Sequence, residues 1–257
     1  KISGSKYLQS DTKEAFSSFN NQDKYLVFGT PCQMYSLREK LKLTKSEDRF
    51  VLVDFYCHGV PSQLLWEGYT KFLDRRKGTG AIISVNFRDK SSGWHNYSMK
   101  IQGEKAPYAK KMREDMFYRF YLNNALLNKP CYQCSFRSGQ GGSDLKLGDF
   151  WGPKYTDDEK GVSIVIVNTE KGSQVMQLIS NKICVEKVDL SDIETSQPIK
   201  NIDIPTERDD IITSLQNGVA LESLYKKYYA SAALRDKIVF ALKSMVPQKL
   251  RKALKRT

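Results

Sequence analysis

A chain of 257 residues, 40% hydrophobic and 11% aromatic, is long enough to bury one large core, or one core with a small appendage. No run approaches the ~18 apolar residues of a membrane-spanning helix, and residues 1–20 lack the apolar stretch of a secretory signal, so the cytoplasm is the expected compartment. Of the net charge of +12, nine charges fall in residues 225–257, where ten Lys or Arg face one acid; the body is close to neutral, which argues against a specific nucleic-acid binder.

The first clear unit is KYLVFG (24–29), a short apolar run ended by Gly29, followed by TPCQMYSLREKLKL, in which Met34, Leu37 and Leu41 have helical spacing. After the polar break at 44–49, FVLVDFYC (50–57) reads as a second buried strand, and Pro61 and Ser62 mark the start of the next helix. Strands joined through one helix are normally parallel, and sites in such sheets gather at the carboxyl ends of the strands. Cys32 and Cys57 each follow a strand directly, so the topology makes them neighbours along one sheet edge.

Further along, 81–89 and 96–101 predict strands around the turn KSSGWH, and 113–127 predicts a helix. The segment 129–144 breaks all periodicity and reads as a loop; strands follow at LKLGDF and 162–168, then a helix from about Gly172 to Ser180. From Glu207 onward the pattern is helical, with Ile238, Leu242, Met245, Leu250 and Leu254 forming an apolar stripe interrupted by Pro247. The expected fold is therefore α/β, with a mixed, partly parallel sheet, flanking helices and a helical C-terminal extension. The division is a core at 1–200 and a basic helical extension at 201–257. That extension is suited to peripheral contact with an acidic membrane surface or a partner.

Five cysteines are few for a disulfide scaffold, and an odd count leaves one unpaired, so metal or redox chemistry is the better starting point. Cys131 and Cys134 form a C-x2-C pair in a polar loop; a thioredoxin-like dithiol opens a helix after a strand, whereas this pair is followed by SFRSGQGG. With Cys32 and Cys57 they make four thiolates, the number used by a four-iron, four-sulfur cluster or by a structural zinc ion. Cys184, in the alternating pattern KICVEKV, reads as a packed strand residue. His58, beside Cys57, is a candidate proton donor. Thr30 and Pro31 serve equally well as plain helix-capping residues, and Trp94 and Trp151 as core aromatics.

Six segments, in order, resemble the motifs of the coenzyme F420 hydrogenase/dehydrogenase beta-subunit family: GSKYLQSD (4–11), FGTPCQ (28–33), VDFYCHGVPS (53–62), FRDKSSGW (87–94), PCYQCSF (130–136) and LGDFWG (147–152). The resemblance extends over about residues 4–180. It implies an FAD beside a four-iron, four-sulfur cluster, with electrons passing between that pair and a redox partner or a small-molecule acceptor or donor. It also implies Cys32, Cys57, Cys131 and Cys134 as cluster ligands. By the same resemblance, Lys6, Tyr7, Gln9 and Ser10 of the first motif, and Gly29, Thr30 and Pro31 of the second, contact the flavin; a helix N-terminus at 30–33 favours anions for physical reasons as well. Arg88, Lys90 and Trp94 then face the flavin ring or its substrate.

Members of the family often carry a ferredoxin-like C-x2-C-x2-C-x3-C region ahead of these motifs. This chain begins at Lys1 without an initiator Met and has no such run, so it is expected to be a fragment of a longer protein. The resulting expectation is a flavin- and iron–sulfur-dependent oxidoreductase acting on a deazaflavin-like or other organic substrate. Its rivals are a non-catalytic zinc–thiolate scaffold and a partner- or membrane-surface-binding protein of a polysaccharide-synthesis operon.

Overall fold

A computed structural model describes residues 6–138, 141–197 and 199–235. It contains two sheets. The first is built from β1 (Tyr25–Gly29), β2 (Phe50–Phe55), β6 (Leu145–Asp149) and β7 (Ser163–Val167), in that spatial order. The β1–β2 and β2–β6 pairs are parallel and β6–β7 is antiparallel. The second sheet is the antiparallel meander of β3 (Ile82–Asp89), β4 (Ser98–Gly103) and β5 (Pro107–Lys111). The mixed α/β class, the partly parallel sheet and the C-terminal helices are as the sequence predicts.

A short helix α1 (Thr12–Ser17) precedes the first strand. The β1 to β2 crossover is α2 (Pro31–Leu43), with Thr30 at its N-cap and Pro31 at its first position. Pro31 needs no N–H there, and the Gln33 side chain reaches back to accept from Thr30 N at 3.0 Å. Met34, Leu37 and Leu41 are buried against Phe50 and Leu52 of β2, at roughly 1.5–3 kcal/mol per side chain. From β2 the chain enters α3 (Gln63–Lys77), capped by Ser62 and ended by Gly78 at φ 65.

The main core lies between α3, the meander and α4 (Met116–Leu122), and is dense in aromatic rings: Tyr69, Phe87, Phe117, Tyr118 and Tyr121 pack together. At its centre Asp115 caps α4. It accepts from Phe117 N and Tyr118 N, and from the hydroxyls of Tyr69 at 2.6 Å and Tyr108 at 2.9 Å. Helices α5 (Glu170–Leu178) and α6 (Leu190–Ser196) follow β7, the first of them where the sequence predicts it. The C-terminal helices α7 (Arg208–Gln216) and α8 (Leu221–Tyr228) contribute Ile211, Leu221 and Leu224 to the main core, with Tyr229 just beyond them.

Three local expectations change. The helix predicted over 113–127 is only two turns long, because the chain reverses at Asn124, which adopts φ 60. PYAKK carries no strand pattern of its own, yet it forms β5 in a register imposed by β4. Cys184 is exposed and lies in no strand, since no neighbour offers that segment a ladder. The apolar stripe from Ile238 to Leu254 falls outside the described residues.

Candidate functional site

The parallel strands end on one side of the first sheet, and the chain there contributes three separate segments to a single pocket. Thr30, Pro31 and Cys32 come from the start of α2, Tyr56, Cys57, Gly59 and Val60 from the loop after β2, and Cys131, Cys134, Phe136 and Arg137 from the loop before β6. Lys146 of β6 forms part of the wall. All four cysteines named from the sequence thus line one cavity, and none is in a disulfide.

Their immediate partners are few and specific. Thr30 Oγ1 lies 3.1 Å from Cys32 Sγ, and Val60 N donates to Cys131 Sγ at 3.4 Å. Gly59 makes the second contact reachable: its φ of 129 is closed to other residues at little cost, and a Cβ there would meet Leu127 at 2.8 Å and Cys131 Cβ at 3.4 Å. Burial pushes the Cys57 thiol up to about 11; the Gly59 N–H opposes this, Cys131 and Cys32 add to it, and Arg137 opposes it. Cys131 is raised for the same reasons, burial first, with Val60 N–H and Arg137 opposing. The thiols are close enough to sense one another, and a metal binding them would have to displace their protons.

Two cations border this cavity and they are handled differently. Lys146, 2% exposed, has its Nζ 2.7 Å from Asp54 Oδ1 and 5.4 Å from the Tyr56 ring centre. Burial raises the Asp54 carboxyl above the usual carboxylate range, and Lys146 opposes that shift. Gly141 packs so closely on Asp54 that a Cβ would fall 2.3 Å from its Oδ2. Arg137, 5% exposed, instead donates to backbone carbonyls: Cys131 O at 2.6 Å, His58 O at 3.0 Å and Cys57 O at 3.3 Å. Its Nε donates to Asn201 Oδ1, which also accepts from Cys134 N at 3.1 Å.

Beyond the cysteines, the first two sequence motifs meet. Gln33 Nε2 donates to Ser10 Oγ while its Oε1 accepts from Thr30 N, and Gln9 Oε1 accepts from Asn128 Nδ2 near the cysteine loop. A Cβ on Gly29 would meet Met34 at 2.7 Å, which keeps β1 and the start of α2 in close approach. His58 stacks edge-on to Tyr121, and Tyr121 to Tyr7, each at 5.0 Å between ring centres. Burial holds His58 below the usual imidazole range; the nearby Asn124 side chain opposes this and Arg137 adds to it. Its Nε2 is buried without a partner.

A second group of named residues gathers at the end of β6. Arg88 pairs with Asp149 at 2.5 Å, lies against the rings of Tyr97 and Trp151, and keeps Nε and Nη2 buried without partners. Trp94 is fully buried beneath Trp151, stacked at 4.5 Å, so the ring facing solvent is Trp151. Lys6 and Lys90 are exposed. Sequence reasoning missed Arg137, Asn201, Lys146 and Tyr56 as site residues. Arg137 and Tyr56 lie close in sequence to the cysteines they join in the pocket, whereas Asn201 and Lys146 reach the site through tertiary packing.

The family profile for the C-terminal part of the coenzyme F420 hydrogenase/dehydrogenase beta subunit matches residues 22–193, two thirds of the chain and the whole of the four-cysteine pocket. The chain belongs to this family. Among solved structures it is similar to a chain of the F420-reducing NiFe hydrogenase complex from Methanosarcina barkeri, at 14% identity and a TM-score of 0.43, covering 87% of this chain and 69% of that one. That score is too low to carry an argument. A curated rat protein (Rattus norvegicus), V-set and transmembrane domain-containing protein 5, is 33% identical over 73 residues. The match spans 26% of this chain and 36% of that protein's length, too little of either to bear on function. Among the described residues, no helix is long and apolar enough to cross a membrane.

Proposed function

We propose that this chain passes electrons between a four-iron, four-sulfur cluster held by Cys32, Cys57, Cys131 and Cys134 and an FAD bound beside it, for exchange with a deazaflavin-like or other organic substrate and a redox partner protein. The observation that carries the reading is the convergence of four unpaired cysteines from three segments on one pocket.

The donor set, four cysteines lining one cavity, is the number and type of ligand that such a cluster takes, one thiolate at each iron. The Thr30 hydroxyl and the Val60 N–H aimed at two of the sulfurs are the outer-shell contacts expected to orient thiolate ligands.

For the flavin, Gly29, Thr30 and Pro31 bring the N-terminal end of α2, where a helix favours negative charge, to an anionic group, with Gln9 and Ser10 bracing that corner through Asn128 and Gln33. Arg88, with two unpaired donors, would orient a carbonyl-rich ring, and Tyr7, Lys6, Lys90 and the Trp94–Trp151 stack complete that side. When bound, a flavin accepts two electrons together and releases them singly to iron–sulfur centres. His58, the sequence neighbour of Cys57 and held toward its neutral form by burial, is the residue proposed to hold or release a proton. In this reading residues 1–200 carry the redox site. The part from 201 onward backs it, through Asn201 and the helices on the main core. Its basic end offers an acidic partner or membrane surface a contact.

Anaerobic purification followed by reconstitution with iron, sulfide and FAD tests this directly. A broad brown absorbance with bound flavin supports the proposal. A colourless chain that takes up zinc alone and no flavin overturns it in favour of a zinc scaffold.

A further inference from the structure

Two of the three cysteine segments, which carry three of the four cysteines, are tied together by one side chain. Arg137 bonds the carbonyls of Cys57 and His58 on one loop and of Cys131 on the other, and through Asn201 it is linked to Cys134 N. One planar guanidinium, with its donors in a fixed fork, therefore sets the spacing between the loop after β2 and the C-x2-C loop. Lysine could not do the same, since a single ammonium cannot reach three carbonyls and an amide oxygen in one plane.

Its charge is the more informative feature. Lys146, the other cation of the pocket, is neutralised by Asp54 at 2.7 Å. Every acceptor found for Arg137 among the described residues is neutral, a carbonyl or the Asn201 amide, and the side chain is 5% exposed. A buried positive charge without a carboxylate is costly unless an anion lies nearby, and the groups sharing its pocket that would carry negative charge are the cysteine sulfurs.

The geometry points to Arg137 as a positioning residue that fixes the loop of Cys57 against the loop of Cys131 and Cys134 and supplies the countercharge that favours the reduced, more negative state of the bound cluster. This rests on the cluster reading above. Reduction adds one electron, taken from dithionite or a mediator, with no bond formed or broken. Removing the cation beside the added charge makes that step less favourable and lowers the midpoint potential.

The test compares the wild-type chain with Arg137→Lys and Arg137→Gln, each reconstituted anaerobically, by iron and sulfide content and by a mediated redox titration followed by electron paramagnetic resonance. Arg137→Lys should keep a midpoint near the wild type but lose iron faster to a chelator, since it keeps charge and loses the fork. Arg137→Gln should shift the reduced-to-oxidised ratio at fixed potential by about tenfold, about 59 mV toward negative values for one electron. Should Arg137→Gln fail to fold, Asn201→Asp keeps both accepted bonds while neutralising the guanidinium, and should move the midpoint the same way. A wild-type chain that takes up no iron refutes the cluster reading itself. A wild-type chain that takes up iron, with midpoints unchanged in the glutamine or aspartate variant, overturns the role given to Arg137 alone.

Discussion

Asp115 and Asp54 are both buried carboxylates, yet their surroundings differ sharply. In the aromatic core beside the meander, Asp115 receives two tyrosine hydroxyls and two backbone N–H groups. At the carboxyl edge of the parallel strands, Asp54 instead faces a single cation, Lys146, at 2.7 Å, on the side where four free thiols line one pocket. The core holds the fold together, and the strand edge carries the four-cysteine pocket for which the redox chemistry is proposed.

If that division is right, variants should separate the two. Cys57→Ser and Cys131→Ser, which replace soft thiolates by a poor ligand, should take reconstituted iron from full occupancy to nearly none while leaving the unfolding midpoint of the metal-free chain unchanged. Iron analysis and denaturant unfolding on the same samples check both halves. Full iron in both variants would remove the four-ligand assignment.

Lys146→Met should cost about 3 kcal/mol or more, because it leaves the Asp54 carboxylate buried and alone, and pairing it with Asp54→Asn should recover most of the loss. A double-mutant cycle by urea unfolding measures the coupling. Two losses that simply add would show that the ion pair is not the partner of either residue.

Asp115 gives a smaller effect with a definite sign. Burial raises its carboxyl above the usual range, with the Tyr69 and Tyr108 hydroxyls opposing. The folded chain therefore keeps a proton that the unfolded chain has released, and stability falls as pH rises from the ordinary carboxylate value through the raised one. Asp115→Asn should flatten the stability profile in that window, as followed by thermal unfolding at a series of pH values. The smallest effect belongs to Cys184→Ser. This exposed residue should change stability by no more than ~0.5 kcal/mol and iron content not at all, and any loss of iron would make it a ligand.

The same two regions differ in how far the sequence announces them. At the strand edge the reading is direct: apolar runs end at Gly29 and Phe55, helices start at Pro31 and Gln63, and the parallel crossover brings Cys32 and Cys57 together. The C-x2-C pair shows itself by its spacing. The long-range partners do not, because Asn201 and Lys146 reach the cysteines only through tertiary packing and have no local pattern. β5 is hidden for a related reason. PYAKK starts with Pro and ends in two lysines, and it becomes a strand because β4 supplies a ladder beside it. KICVEKV alternates as a strand should, yet has no such neighbour and forms none. Periodicity reports which face of a segment is buried, and pairing partners decide whether a strand exists.

The most direct test of the account is the mass of the intact chain, purified and reconstituted without oxygen and sprayed under native conditions. The account predicts one species heavier by a single four-iron, four-sulfur unit, lost together with its brown colour when Cys32, Cys57, Cys131 or Cys134 is replaced by serine. A wild-type mass increased by one zinc ion, or not increased at all, would contradict it.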